Sequence, residues 1–165
     1  MTEKWQTGPV PGFDPMLMPV VHSLLQVKAE IDGLLPRVSE DQLWTRPQGA
    51  ASIGFHLLHI GGASERLLTY ARGERLSPEQ LAAARSEGTT TPSKDALASM
   101  VHAALDRALD QVRQTPVTTL LEPRTVGRAG LPSTVIGLLF HVAEHATRHA
   151  GQALTTALVQ GVGGR

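Results

Sequence analysis

Cysteine is absent from all 165 residues. Its absence removes disulfides, thiolate metal ligands and cysteine nucleophiles together, suits a reducing compartment, and leaves any metal chemistry to histidine. An excess of either charge is also missing, since 15 Lys and Arg stand against 15 Asp and Glu. Without a whole-molecule field to gather polyanions or an anionic bilayer, nucleic acid and membrane are not expected partners. No apolar run approaches the roughly 18 residues of a spanning helix, and the opening MTEKWQTGPVPGFDP has no apolar stretch like that of a signal peptide. The expectation is a soluble, cytoplasmic protein. Glycine-rich phosphate loops, GxSxG and HExxH are missing too, which disfavours nucleotide enzymes and the hydrolases built on those motifs. Strand-length alternation, internal repeats and low-complexity tracts are not found.

What is present is helical periodicity. The length suits one domain over 1–165 with a core of its own, behind an irregular leader at 1–13 that contains Gly8, Pro9, Pro11 and Gly12. Asp14 and Pro15 have the form of an N-cap and first helical residue. Apolar positions from Leu17 to Leu35 then recur at three and four residues, which predicts a first helix ending near Pro36. A connector with Trp44, Pro47 and Gly49 leads to Ser52, from which a second helix runs through Ile53, Leu57, Ile60 and Leu68 to a stop at Gly73. The polar stretch 74–90 reads as a short helix or a loop around SPEQLAAARSE. Thr91 and Pro92 repeat the cap-then-proline form ahead of a third helix, which must end before Pro116. Residues 115–132 read as a loop with a brief extended piece at Thr125 to Arg128, and a fourth helix runs from near Ser133 to Gly161. Four amphipathic helices of this length predict an all-α fold, a four-helix bundle.

Of the seven histidines, His141, His145 and His149 recur at every fourth position of the fourth predicted helix. Residues four apart lie about 6 Å from one another along a helix, so two such rings can close on one ion, whereas His141 and His149 are about 12 Å apart and cannot. Either 141/145 or 145/149 forms a ligand pair. Catalytic zinc usually takes three protein ligands and keeps one position open, so a third histidine is needed, and His56 and His59 on the second helix are the candidates. Spacing does not choose between them. A lone histidine is more often a hydrogen-bonded core or surface residue; His22 and His102, with no partner at helical spacing, are read that way.

Read together with SIGFHLLHIGG, the segment EHATRHAGQ resembles the DinB family of bacterial helical proteins, and QLWTRPQGAASIGFH and ERLLTYARG resemble that family's segments around its second helix. There, a histidine on the second helix and an HxxxH pair followed by one residue and Gly-Gln on the last helix hold one divalent metal. The resemblance therefore implies His59, His145 and His149 as ligands, with Gly151 and Gln152 completing the motif and His141 one turn outside. It also implies helices ordered up-down-down-up, a long crossover between the second and third, for which 74–90 is long enough, and a homodimer. The family is named for expression induced by DNA damage, which implies a place in stress response. The neutral charge balance argues separately against DNA binding.

Three neutral imidazoles leave a bound ion its full charge, so a water or thiol brought to it becomes a nucleophile near neutral pH. Members of the resembled family include transferases and isomerases that use low-molecular-weight thiols. The expectation is a metal-dependent enzyme, a thiol transferase or a relative of one, acting on an electrophilic small molecule. The alternatives are a metal-binding helical scaffold without turnover and a dimeric stress-response protein. Zinc suits the donor set best, with nickel, iron and manganese as chemical alternatives. His56 and His141 are second-tier candidates for proton transfer or for orienting a ligand. Glu144 points about 100° away from His145 and is not assigned as a base. Arg66 and Tyr70 share the His59 side of their helix, where they either line a pocket or form an amphipathic rim.

Overall fold

The computed structural model describes residues 2–162. Met1 and residues 163–165, the two ends of the expected domain, lie outside the described residues. The protein is predominantly helical, with one small hairpin. Its helices are α1 (Met18–Leu34), α2 (Glu40–Trp44), α3 (Ile53–Ala71), α4 (Pro78–Ser86), α5 (Lys94–Gln114) and α6 (Val135–Val159); its strands are β1 (Pro123–Val126) and β2 (Leu131–Thr134).

Local chemistry sets most of the boundaries. The Asp14 carboxylate accepts from the Met16 N–H at 2.9 Å and opens a 3₁₀ turn that runs into α1, with Pro19 in the first helical turn, where its missing N–H is not needed. Ahead of it, the leader contains a further 3₁₀ turn, Lys4–Thr7, and is tied to α1 by a contact of 2.9 Å between His22 Nε2 and the Gly8 carbonyl. Ser52 caps α3 by accepting from the Phe55 N–H at 3.1 Å, and Gly73, at φ +79°, turns the chain away from the helix end.

Three boundaries differ from the sequence reading. The connector before α3 contains α2, which Ser39 and Gln42 start with a reciprocal capping box. The cap of α5 is Ser93 rather than Thr91: the Ser93 hydroxyl accepts from the Ala96 N–H, while the Pro92 carbonyl accepts from Trp44 Nε1 at 3.2 Å. The loop before α6 holds two strands rather than one extended piece. They pair antiparallel with Pro123 opposite Thr134 and Val126 opposite Leu131, closed by a turn with positive φ at Gly127 and Gly130. Four-residue strands with a proline in each are too short to show alternation.

The four long helices share one core. Helix α3 packs against both α5 and α6, and α1 packs against the same two. Leu24, Ile31, Ile53, Leu57, Ile60, Leu97, Leu105 and Leu139 are fully buried within it. Each buried aliphatic side chain is worth about 1.5–3 kcal/mol, so turning α3 or α6 by one residue would expose several at once. That register carries the histidines. On α6, Ala143, Ala146, Ala150, Ala153 and Ala157 are buried and keep the helix face flat, while His145 and His149 lie half-buried at its edge toward α3.

Candidate metal centre

The α3–α6 pairing brings His59 to His145 and His149. The ring centroids lie 5.0 Å apart for His59 and His145, 4.6 Å for His59 and His149, and 4.5 Å for His145 and His149. One nitrogen from each ring lies within 4.8 Å of the other two. Nitrogens sharing one tetrahedral ion at about 2.0–2.1 Å would be about 3.3 Å apart, so small side-chain rotations suffice to close the set.

Proton accounting decides whether these residues fit a cation. His59 Nδ1 lies 2.6 Å from Glu87 Oε2; a carboxylate only accepts, so Nδ1 carries the proton and Nε2 has a free lone pair. That Nε2 faces His145 Nε2 at 3.0 Å, and His145 Nδ1 is buried with no hydrogen-bond partner. A neutral His145 has one proton to place. On Nε2 it leaves a bare, buried Nδ1; on Nδ1 it leaves two lone pairs facing each other. In the second tautomer a cation between the two Nε2 atoms would satisfy both lone pairs, so the donor set fits a bound ion.

Three of the rings, His149, His145 and His56, are held below the usual imidazole range. Burial first, then the neighbouring imidazoles His145, His59 and His56 and the Arg148 guanidinium, push His149 down to about 4. Burial also lowers His145, helped by His59, His141 and Arg148 and opposed by Glu144. His56 is lowered by burial and then by His59. Lone pairs are therefore available at neutral pH.

The other histidines separate. His56 is buried, and its Nδ1 faces His149 Nδ1 at 3.0 Å. His141 is half in solvent, its Nδ1 3.3 Å from Glu144 Oε2. His102 Nε2 lies 3.0 Å from Asp32 Oδ1 on the other side of the fold from this cluster's helices, between α5 and α1.

The sequence profile of the DinB superfamily matches residues 23–153. The chain belongs to the DinB superfamily. Among solved structures it is similar to a DinB-like protein from Bacillus cereus, with 15% identity, 90% of this chain and 97% of that chain covered, and a TM-score of 0.68. At that identity the likeness shows the fold alone. No curated protein matches the chain.

In this DinB chain the matched span includes all five histidines of α3 and α6. It also includes a site residue that sequence reasoning missed. Glu87 follows α4, and its side chain is 10% exposed. Besides meeting His59, it accepts from Arg66 Nη1 at 3.0 Å and Nη2 at 3.3 Å. Burial pushes its carboxyl up, but the hydrogen bonds from His59 and Arg66 outweigh that and hold it below the usual carboxylate range. The only sequence signal was an acidic residue in a polar connector, at no helical spacing from any histidine. Phe55, one turn before His59, stacks on its ring with centroids 5.5 Å apart and planes 9° from parallel. Phe55 and Glu87 both border a cleft of about 190 Å³ that Trp44 and Arg46 help to line. A larger groove of about 490 Å³ between α3 and α5 also reaches Glu87, but no histidine lines it.

Proposed function

We propose that the protein is a metalloenzyme in which His59, His145 and His149 hold one divalent cation, with zinc the first choice and nickel, iron or manganese the alternatives. Its reaction, on this reading, is transfer of a low-molecular-weight thiol or of water to an electrophilic small molecule. The observation that carries the reading is the convergence of three imidazole rings, with the Nε2 atoms of His59 and His145 facing each other at 3.0 Å. Among the described residues no carboxylate joins the three, which favours an open coordination position over a closed structural site.

When bound, such a cation supplies Lewis acidity, making a thiol or water brought to it nucleophilic near neutral pH. The chain's own residues do the rest. Half-burial of the imidazoles keeps bulk water from crowding them. The Phe55 ring restricts rotation of His59, and Phe55 also borders the cleft of about 190 Å³. His56 shares a proton with His149 through the facing Nδ1 atoms and is read as orienting that ring; His141, exposed on Glu144, is the weaker second-tier residue for proton transfer.

The same reading takes the four long helices as an up-down-down-up bundle, with α4 in the crossover, forming one domain over 1–165. Superfamily membership supports that order. A homodimer is part of the proposal, supported by Phe140, 60% exposed on α6, beside a shallow groove lined by Pro19, Val20 and Ala143. No helix among the described residues is long and apolar enough to cross a membrane, which is consistent with the proposed cytoplasmic location. The rival reading, a metal-binding scaffold without turnover, draws support from the groove between α3 and α5 and the cleft at Phe55, neither of which has a histidine in its lining.

The test is elemental analysis of protein purified without an affinity tag, followed by thiol titration of the cobalt(II)-substituted protein. One metal per chain and a sulfur-to-cobalt charge-transfer band support the enzyme. One metal per chain with no thiol response supports the scaffold, and no stoichiometric metal contradicts both.

A further inference from the structure

We propose that Glu87 is the positioning residue of the histidine cluster: its carboxylate accepts a hydrogen bond from the Nδ1–H of His59 and so fixes the ring with Nε2 turned toward His145. The inference rests on the metal-binding reading and deepens it, because a ligand histidine works only if the correct nitrogen is left bare. Metal-bound histidines generally give their second N–H to a carboxylate or carbonyl, and removing that partner weakens metal binding by about 10–100-fold.

Several independent features build this contact. Glu87 lies 2.6 Å from His59 Nδ1 and its side chain is turned inward, 10% exposed, while Gly88 to Thr91 after it are exposed. A buried carboxylate needs a partner, and Arg66, about two helical turns beyond His59, meets both oxygens with its guanidinium. The approach is possible only because residue 62 is glycine. A Cβ there would collide with Glu87 Oε1 and sit 2.9 Å from Arg66 Nη1. The gap at Gly62, the fork of Arg66 and the carboxylate of Glu87 thus form one seat on α3, and Phe55 stacking sets the plane in which the His59 ring lies. Glu87 thereby ties the segment after α4 to the His59 side of α3.

The experiment uses the full-length protein and two readouts. Long-range ¹H–¹⁵N NMR reports the tautomer of His59 with and without zinc(II), and competition with a chromophoric chelator reports zinc affinity. The unsubstituted protein should show His59 protonated at Nδ1 in both states. Glu87→Ala should mix the tautomers and weaken zinc binding about 10–100-fold at an unchanged one-per-chain stoichiometry. Glu87→Gln, whose amide oxygen still accepts the hydrogen bond, should keep the tautomer and lose less affinity. Gly62→Ala retains the carboxylate but displaces it, and should resemble Glu87→Ala; it also serves if Glu87→Ala does not fold. Unchanged tautomer and affinity in Glu87→Ala, with zinc lost in His145→Ala, would overturn the role of Glu87 and leave the three-histidine site standing. A tautomer change in Glu87→Ala, in a protein that takes up no zinc, supports the positioning role and overturns the metal-binding reading instead.

Discussion

His56 and His149 face each other across the α3–α6 interface through their Nδ1 atoms, 3.0 Å apart. One of the two must donate. If the proton sits on His149 Nδ1, His149 Nε2 is bare and directed away from His56, as a ligand requires. On the proposed metal-binding reading, His56 then orients a ligand without being one. The expected outcome is that His59→Ala, His145→Ala and His149→Ala each lose stoichiometric metal while keeping most of their helicity. His56→Ala should retain one metal per chain, bound about tenfold more weakly. Elemental analysis with far-ultraviolet circular dichroism checks this. Loss in His56→Ala and retention in His59→Ala would reverse the assignment.

The metal-free protein should lose stability in mild acid. In the unfolded chain these imidazoles take up protons near pH 6.5, whereas burial holds folded His149 down to about 4 and also lowers His145 and His56. Across that window the unfolded state binds more protons. This contribution to stability is therefore complete above about pH 6.5 and is lost as pH falls toward 4. Thermal melts should show a lower Tm at pH 5 than at pH 7.5, with a smaller drop in His149→Gln. Zinc affinity should fall over the same range, because a protonated imidazole cannot coordinate. A Tm equally sensitive to pH in His149→Gln would place the effect elsewhere.

Gly54 and Trp44 make a second test, of the frame that presents the cluster. The Trp44 ring lies on the α3 backbone at Gly54, where an added Cβ would be 2.7 Å from the indole. Although alanine favours helix by about 1 kcal/mol over glycine, the clash is with a ring that is also held by the Pro92 carbonyl. Gly54→Ala should therefore destabilise the protein, by about 1–3 kcal/mol in urea melts. Adding Trp44→Leu should remove most of the penalty specific to Gly54→Ala. Additive effects of the two changes would show that they do not meet.

Much of this architecture was legible in the sequence because it depends on local patterns. The apolar spacing of Leu24, Val27 and Ile31, the caps at Asp14 and Ser52, and the stops at Gly73 and Gly161 mark the long helices directly. What escaped depends on contacts between distant segments. Thr91 and Ser93 are both competent caps, and the choice follows from Trp44 engaging the Pro92 carbonyl. The hairpin is held by pairing across a glycine turn rather than by alternation within either strand. In the cluster, fourfold spacing left two α6 pairs open, and the α3–α6 approach brings His145 and His149, but not His141, to His59. Glu87 was invisible for a simple reason: a buried carboxylate has meaning only beside the arginine and glycine that make room for it.

Anomalous diffraction at the zinc edge, from crystals grown with zinc(II) and no affinity tag, tests the metal centre most directly. The expected map has one strong peak per chain, about 2.0–2.1 Å from a ring nitrogen of each of His59, His145 and His149. A peak held by other side chains, or none between these three rings, would contradict the account.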